Sequence, residues 1–388
     1  MQPPPAARRL WGMSLSVCYM IKNEEEFIGA SLTSVLELPC EEILIFDTGS
    51  KDKSPSILKS FQAKDERIDI HKLEWTNHFS DARNKIAKKA RGEWIFFVDG
   101  DEVLDAETRR GVEQAIQSQK SVAFSLIQRN YTLDASQDQV IPFEGTNLPG
   151  LNEFPKSPVF YTDNYMERLY KKTSGLVYEG RIHESLLPFC RRRGLQHEKL
   201  PLILHHYGRL KSGHRQKLVY YLDLSRQKLK EEAQNPIAWV EYLVTLSELD
   251  EQEAAYKMAQ LAIRQFPQEA QVLLTAYQVA LRAGAYPEAE QWIRMKLRLT
   301  PEDLYSKSNL STALMFQKKF DQSSRTALEV LGHKVDDFIA NFNLGVIAFE
   351  EKRWLDAKRY LHAALKLKPQ EAFILQALKK IEAEQQTN

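Results

Sequence analysis

Apolar and polar positions divide the first 130 residues into alternating strand and helix patterns. Runs typical of strands cover 15–20, 42–48, 69–74, 93–98 and 121–130. Helical patterns lie between them at 24–38, 52–64, 79–90 and 105–119. The runs at 43–46 and 94–98 are apolar without alternation, which indicates strands covered on both faces and a mostly parallel sheet. This order predicts a doubly wound α/β domain, whose ligands bind beyond the carboxyl ends of the strands.

A segment without period follows at 131–165, where Pro, Asn, Gly, Asp and aromatic residues are frequent. The segment is predicted to be a long loop, and long loops inside compact domains are often lids or binding loops. Short strand-like pieces return at 166–210. The prediction is an α/β catalytic domain over 13–210, preceded by a disordered extension at 1–12.

From about residue 211 the pattern becomes helical and repeats every 34 residues. Three sets of positions carry this period: Ala255, Ala289, Ser323 and Ala357; Pro267, Pro301, Val335 and Pro369; Ala276, Leu310 and Leu344. Small residues let two helices of a hairpin pack closely, and Pro ends the second helix. The pattern resembles the tetratricopeptide repeat, whose arrays form curved surfaces for peptides or partner subunits.

This repeat pattern predicts a linker helix at 211–235 and a repeat domain at 236–388. Four units fit within 234–371, and 372–384 is expected to be a capping helix. A homodimer formed through the repeats is compatible with this arrangement, as is a scaffold role.

The charge balance and the cysteine count indicate which partners the protein binds and which cellular compartment it occupies. Lys and Arg number 53 and Asp and Glu 52, which leaves a net charge of +1 and argues against nucleic-acid binding through bulk charge. Three cysteines without metal-ligand spacing indicate a reducing cytoplasm and no disulfide framework. No stretch reaches the ~18 apolar residues that a transmembrane helix needs.

Two acidic motifs follow predicted strands. Asp99 and Asp101 flank Gly100 after a very apolar strand, and two such carboxylates can hold Mg²⁺ or Mn²⁺ together with a diphosphate. Asp47 also ends a strand. Its carboxylate could bind a base or a ribose hydroxyl, or form an Asx-turn before the next helix, with Ser50 or Asp52 as the cap.

Four motifs in order resemble the family 2 inverting glycosyltransferases of the GT-A fold. They are Val17-Cys18-Tyr19-Met20-Ile21-Lys22-Asn23-Glu24-Glu25, Asp47-Thr48-Gly49-Ser50, Phe79-Ser80-Asp81-Ala82-Arg83-Asn84 and Trp94-Ile95-Phe96-Phe97-Val98-Asp99-Gly100-Asp101-Glu102. Two later motifs resemble the subgroup that joins this domain to tetratricopeptide-like helices and includes peptide S-glycosyltransferases. These are Tyr178-Glu179-Gly180-Arg181-Ile182-His183-Glu184 and His205-His206-Tyr207-Gly208.

The resemblance implies roles for residues around a nucleotide-sugar donor. Asp47 would contact the uracil or ribose, Arg83 and Asn84 would face the same nucleotide pocket, and Asp99 would lie on the ribose or sugar side. Asp101 would bind the metal.

The late histidine motif is implied to complete the metal shell. His206 is the matching residue, with His205 next to it as the alternative. A neutral imidazole beside two carboxylates suits Mn²⁺ as well as Mg²⁺. Arg168 matches a basic position of the subgroup and would pair with a phosphate or end a strand. Gly100 replaces the Ala common in the subgroup, and the flanking carboxylates are expected to keep their roles.

Inversion at the sugar carbon requires a base that takes the acceptor's proton. Glu184 is the first candidate, His183 the second and Glu102 the third. For the His-Glu pair the alternative is a structural role in holding a loop or positioning phosphates.

The resulting hypothesis is a metal-dependent enzyme that moves a hexose from a UDP-sugar, such as UDP-glucose, to a Cys, Ser or Thr side chain. The repeat domain is expected to hold the peptide or protein acceptor. The alternatives are extension of a cell-surface glycan or lipid-linked saccharide, and a repeat scaffold with an inactive transferase domain.

Overall fold

The computed structural model describes residues 14–117, 121–133, 140–151, 157–172, 175–211, 214–368 and 371–386. These residues form two compact units, 1–216 and 217–388. The extension predicted at 1–12 lies outside the described residues.

A nine-stranded sheet forms the centre of the described N-terminal unit. Its strands are β1 (Leu15–Ile21), β2 (Glu42–Asp47), β3 (Ile68–Lys72), β4 (Trp94–Asp99), β5 (Glu102–Leu104), β6 (Ala123–Thr132), β7 (Ile141–Pro142), β8 (Phe160–Lys171) and β9 (His197–His206). The helices are α1 (Ile28–Leu36), α2 (Ser54–Gln62), α3 (Phe79–Lys89), α4 (Ala106–Gln117) and α5 (Leu187–Arg193).

The strand order is β3-β2-β1-β4-β8-β6-β9-β5, with β7 paired to β8. The first four strands are parallel, whereas β8 runs antiparallel to both β4 and β6. The predicted α/β class is confirmed, with a parallel half that carries the early motifs and a mixed half beyond β4.

Successive residues of the central strands enter opposite cores. Val17 and Phe96 pack in one apolar cluster, while Cys18 and Phe97 pack in another. Alternate side chains of a strand point to opposite faces, so a strand buried on both faces must be apolar throughout. This explains why the unbroken apolar runs at 43–46 and 94–98 identified β2 and β4.

Two local expectations were wrong. The predicted loop at 131–165 is shorter, because β6 continues to Thr132 and β8 begins at Phe160, with Tyr131 and Tyr161 paired in register. The backbone N–H and C=O groups of β6 and β8 bond to each other, although the strands are distant in sequence. A sequence without hydrophobic periodicity does not reveal such pairing. The short helix α5 was also missed. Its first turn contains a Pro, and its C-cap residue is Gly194, which has a φ of +63°.

The described C-terminal unit consists of helix pairs. Its helices after α6 (His214–Glu231) are α7 (Pro236–Glu248), α8 (Gln252–Gln265), α9 (Ala270–Arg282), α10 (Tyr286–Leu299), α11 (Leu304–Phe316), α12 (Phe320–His333), α13 (Phe338–Glu350), α14 (Trp354–Leu367) and α15 (Ala372–Gln386). The first helices of the pairs start at 236, 270, 304 and 338, so the 34-residue repeat is confirmed as an all-helical array.

Packing inside the pairs agrees with the sequence pattern. Ala255, Ala289, Ser323 and Ala357 are all fully buried. The turns between paired helices also repeat, because Asp250, Gly284, Lys318 and Lys352 all have left-handed backbone conformations. Such residues end a helix sharply, and here they return the chain for the second helix.

Candidate active site

Two of the predicted site carboxylates lie at the same edge of the parallel sheet. Asp47 ends β2 and is in register with Ile21 of β1, while Asp99 ends β4 and is in register with Met20. Because β1 lies between the other two strands, the carboxyl ends of all three meet at this edge. This is where ligands bind in open parallel sheets.

Asp47 forms an Asx-turn at this edge. Its Oδ1 accepts hydrogen bonds from the backbone N–H groups of Gly49 at 3.0 Å and Ser50 at 2.8 Å. Asp52 Oδ1 accepts the backbone N–H of Ser54 at 2.9 Å, but the N-cap residue of α2 is Lys53 rather than Ser50 or Asp52, so the predicted cap is wrong. Both Asp47 bonds use Oδ1, so Oδ2 is the atom that a base or ribose could approach. Nucleotide binding by Asp47 stays a prediction.

Two buried arginines hold the acidic residues after β4. Arg83 donates from Nη2 to Asp99 Oδ1 at 3.1 Å and from Nε to Glu184 Oε1 at 2.5 Å. Arg168 donates from Nη2 to Asp99 Oδ2 at 2.5 Å and to Glu102 Oε1 at 2.6 Å. The arginine side chains are only 5% and 2% exposed. Asp99 is therefore bound on both oxygens, and Glu184 is linked to it through one guanidinium.

The pKa values of Asp99 and Glu102 in this network are shifted in opposite directions. Burial would raise the pKa of Asp99, but Arg168 and Arg83 more than offset this and hold the pKa well below its ordinary value. Burial raises the pKa of Glu102, although Arg168 opposes the shift. Glu102 Oε1 also accepts a hydrogen bond from Gln128 at 2.6 Å. Since Glu102 is fully buried and bonded within the domain, its geometry fits a structural role.

Asp101 and His206 form a second cluster beside the first. His206 Nε2 lies 3.4 Å from Asp101 Oδ1, and Lys211 Nζ lies 2.8 Å from Asp101 Oδ2. Lys211 also forms an ion pair with Glu24. The β-ladder explains the placement, because β9 runs beside β5 with His206 opposite Glu102.

The neighbouring His205 points into different surroundings. Its Nδ1 lies 2.9 Å from the hydroxyl of Tyr131 and its Nε2 lies 3.3 Å from Asp105 Oδ2. The ring also stacks on Tyr131 at a centroid distance of 5.9 Å. Both nitrogens are thus engaged within the domain, and of the two histidines it is His206 that faces Asp101.

The surroundings of Asp101 and His206 fit a divalent cation. A Cβ added at Gly208 would lie 2.7 Å from Asp101 Oδ2 and 2.8 Å from His206 Nε2, so the glycine leaves a space that both ligand atoms border. Among the described residues, no group of three or more His, Cys, Asp or Glu side chains surrounds a common metal position. A carboxylate and an imidazole are enough for a cation that takes its other ligands from diphosphate oxygens and water.

The 178–185 segment carries the predicted base and is fastened by Asn84. Asn84 Nδ2 donates to Tyr178 O at 3.0 Å, and its Oδ1 accepts the Tyr178 N–H at 2.9 Å. Asn84 thereby orients the segment, and its predicted place in the nucleotide pocket stays a prediction. His183 is exposed with a φ of +50°, while Glu184 points inward to Arg83.

Sequence reasoning missed Lys211 and Glu24 as members of the site. Glu24 lies in the first motif, but three acidic residues in a row gave no reason to select it. Lys211 lies five residues after His206, and a single lysine after a strand carries no pattern. Lys211 lines an open depression of about 370 Å³ together with Asn23 and Lys51.

Comparison with known proteins relates the chain to glycosyltransferases. Residues 16–174 match the family model described as Glycosyl transferase family 2. The glycosyltransferase SunS of Bacillus subtilis is 34% identical over 90 residues, which cover 23% of this chain and 20% of SunS. A TPR repeat-containing protein of Synechococcus elongatus is 30% identical over 113 residues, covering 29% of this chain and 27% of that protein.

The chain thus spans about a quarter of the length of these curated relatives. Among solved structures, the TPR protein YrrB, whose title describes an unusual peptide-binding site, has 18% identity and a TM-score of 0.33. That likeness covers 42% of this chain and 84% of YrrB. No described helix is both long and apolar enough to cross a bilayer.

Proposed function

We propose, on the premise that residues 16–174 form a glycosyltransferase family 2 domain, that this chain moves a hexose from a UDP-sugar to a peptide or protein side chain with inversion. The observation that supports the proposal is that Asp47 and Asp99 end strands at the same edge of the sheet, while Asp101, two residues after Asp99, lies beside His206. UDP-glucose is the first donor to try, and Cys, Ser or Thr the acceptor residue.

The proposed work of each side chain follows from its contacts. Asp99 stays charged between Arg83 and Arg168 and accepts hydroxyl hydrogen bonds from the ribose or sugar. Arg83 Nη1 is buried without a partner among the described residues, so it can donate to a ligand. Asp101 and His206 would hold Mg²⁺ or Mn²⁺, which when bound offsets negative charge on the departing nucleoside diphosphate.

Glu184 is the proposed base. Its Oε1 accepts the Arg83 hydrogen bond, so Oε2 is the atom that takes the proton from the acceptor hydroxyl or thiol. His183 is exposed and remains the second candidate. The helical repeats are proposed to hold the acceptor chain, because such arrays present extended surfaces to peptides. All three cysteines are free and buried, and the proposal places the chain in the cytoplasm, a reducing compartment.

The test measures donor binding and hydrolysis by the full chain with UDP- and GDP-sugars, with and without Mn²⁺ or Mg²⁺. We expect one UDP-sugar to release UDP only with metal, and Asp101→Asn to lose this release. Asp69→Asn is the matched control, because Asp69 pairs with His71 and is 58% exposed. Peptides that carry a single Cys, Ser or Thr then identify the acceptor by a mass gain of one hexose.

Two results would count against parts of the proposal. If no nucleotide sugar binds under any metal condition, the catalytic function fails and a scaffold is left. If the donor is used but only saccharide acceptors are extended, the peptide acceptor is wrong.

A further inference from the structure

The ammonium of Lys211 lies beside Asp101, the residue predicted to bind the divalent cation. Its ammonium lies 2.8 Å from Asp101 Oδ2 and also pairs with Glu24. The Lys211, Asp101 and Glu24 side chains are 14%, 4% and 13% exposed, so water screens their charges only weakly. Two carboxylates and one ammonium leave this cluster with a net negative charge.

Lys211 contacts an oxygen that borders the space where the divalent cation is expected. The space left by Gly208 borders Asp101 Oδ2, which is the atom that Lys211 contacts, as well as His206 Nε2. A carboxylate oxygen can accept from an ammonium or coordinate a cation, but two positive charges that share it repel each other.

Gly100 shows that this part of the site is built around Glu24. A Cβ added at Gly100 would lie 2.7 Å from Glu24 Cγ and 3.0 Å from its Cβ. The glycine between Asp99 and Asp101 therefore leaves room for the side-chain stem of Glu24, whose carboxylate pairs with Lys211.

We propose that Lys211 is a positioning residue that competes with the divalent cation for Asp101, and that cation binding turns its ammonium toward the donor's diphosphate. The competition rests on the proposed metal site at Asp101 and His206, and the second step rests also on the proposed diphosphate donor. Lys211 borders the open depression beside the sheet edge, so its ammonium can leave Asp101 and stay near the ligand. Glu24 keeps the displaced side chain within reach of the site.

The competition is tested without nucleotide, by electron paramagnetic resonance of free Mn²⁺ in titrations of the full chain. Lys211→Met should bind Mn²⁺ roughly ten-fold more tightly than the wild type, because a competing charge is removed. Lys211→Arg keeps the charge and should stay near the wild type. Lys51→Met removes a charge from the same depression without a contact to Asp101, and it should change the affinity less than about two-fold.

The second step is tested with metal at saturation, by calorimetric titration with UDP. Lys211→Met should bind UDP roughly ten-fold more weakly, since a charge-assisted bond to phosphate is lost. A residue that only stabilised the fold would not strengthen metal binding and weaken nucleotide binding in the same variant.

The outcomes separate this inference from the proposed function. Unchanged or weaker Mn²⁺ binding by a folded Lys211→Met variant, or no Mn²⁺ binding by any variant, overturns the competition. Tighter Mn²⁺ binding with unchanged UDP affinity overturns the transfer to the diphosphate. If Mn²⁺ binding strengthens as expected but no donor is ever hydrolysed, the competition stands and the transferase proposal fails.

Discussion

Replacing Arg168 with Met should destabilise the N-terminal unit in a pH-dependent manner. The guanidinium is 2% exposed and bonds both Asp99 and Glu102, and the side chain of Glu102 is itself fully buried. Removing one partner of a buried ion pair costs about 3–5 kcal/mol, because the remaining charge is left uncompensated. Arg83 still pairs with Asp99, so most of this cost should fall on Glu102.

The sign of the pH dependence follows from the two carboxyl groups. The pKa of Glu102 is already raised by burial, and loss of Arg168 raises it further. A group whose pKa is higher in the folded state takes up a proton on folding, so stability falls as pH rises toward the folded pKa. The low pKa of Asp99 contributes stability at higher pH, and part of this is lost with Arg168. The Asp99 contribution is complete above about pH 5, so the larger cost at about pH 8 than at about pH 5 comes from Glu102.

The assay is urea unfolding read by pulse proteolysis, with fragments assigned by mass so that the N-terminal unit is followed separately from the helices. Arg192→Met is the matched control, because Arg192 pairs with Glu179 but is 60% exposed, and we expect little change. The double variant Arg168→Met/Glu102→Gln should recover part of the loss, since the unpaired charge is gone. If Arg168→Met matches the control, or its cost is independent of both pH and Glu102, the reasoning is refuted.

Three further changes test other parts of the molecule. Gly208→Ala should lower metal-dependent donor hydrolysis by roughly ten- to a hundred-fold with an unchanged melting temperature, because its Cβ enters the space between the two expected metal ligands. Glu184→Gln should lower kcat for transfer by about 10²–10⁴-fold, while KM for the donor stays near that of the wild type. If only His183→Gln shows such a loss, His183 is the base instead. Gly345→Ala should destabilise the C-terminal unit by about 1–3 kcal/mol in urea and leave donor hydrolysis unchanged, because its Cβ would lie 3.2 Å from a backbone nitrogen of α14.

The sequence predicted the elements whose signals are local. The runs at 43–46 and 94–98 are apolar throughout, and the helix pairs repeat small residues every 34 positions, so both patterns could be read without a structure. The β6–β8 pairing could not, because its contacts join Tyr131 to Tyr161 across a segment with no period. Long-range pairing depends on the fold as a whole rather than on neighbours in the chain.

The same division holds in the candidate site. Asp47 and Asp99 were found because each ends a strand, which is a position visible in the sequence. The choice between His205 and His206 could not be made, since adjacent residues of β9 point to opposite faces and only the register decides which one meets Asp101. Lys211 was missed because its partners come from distant segments.

The two carboxylates of the Asp-Gly-Asp motif are therefore not equivalent. Asp99 is held on both oxygens by buried arginines whose charge cannot be titrated away, so its position is fixed before any ligand arrives. Asp101 lies beside a lysine at one oxygen and a histidine at the other, and a lysine on a flexible stem is easier to displace than a buried guanidinium. If the proposed metal site is correct, Asp99 is the rigid carboxylate for orientation and Asp101 the exchangeable carboxylate for the metal. Substitutions that break the pairing of Asp99 should therefore lower the stability of the N-terminal unit. Substitutions that change the pairing of Asp101 should instead change the affinity for the metal.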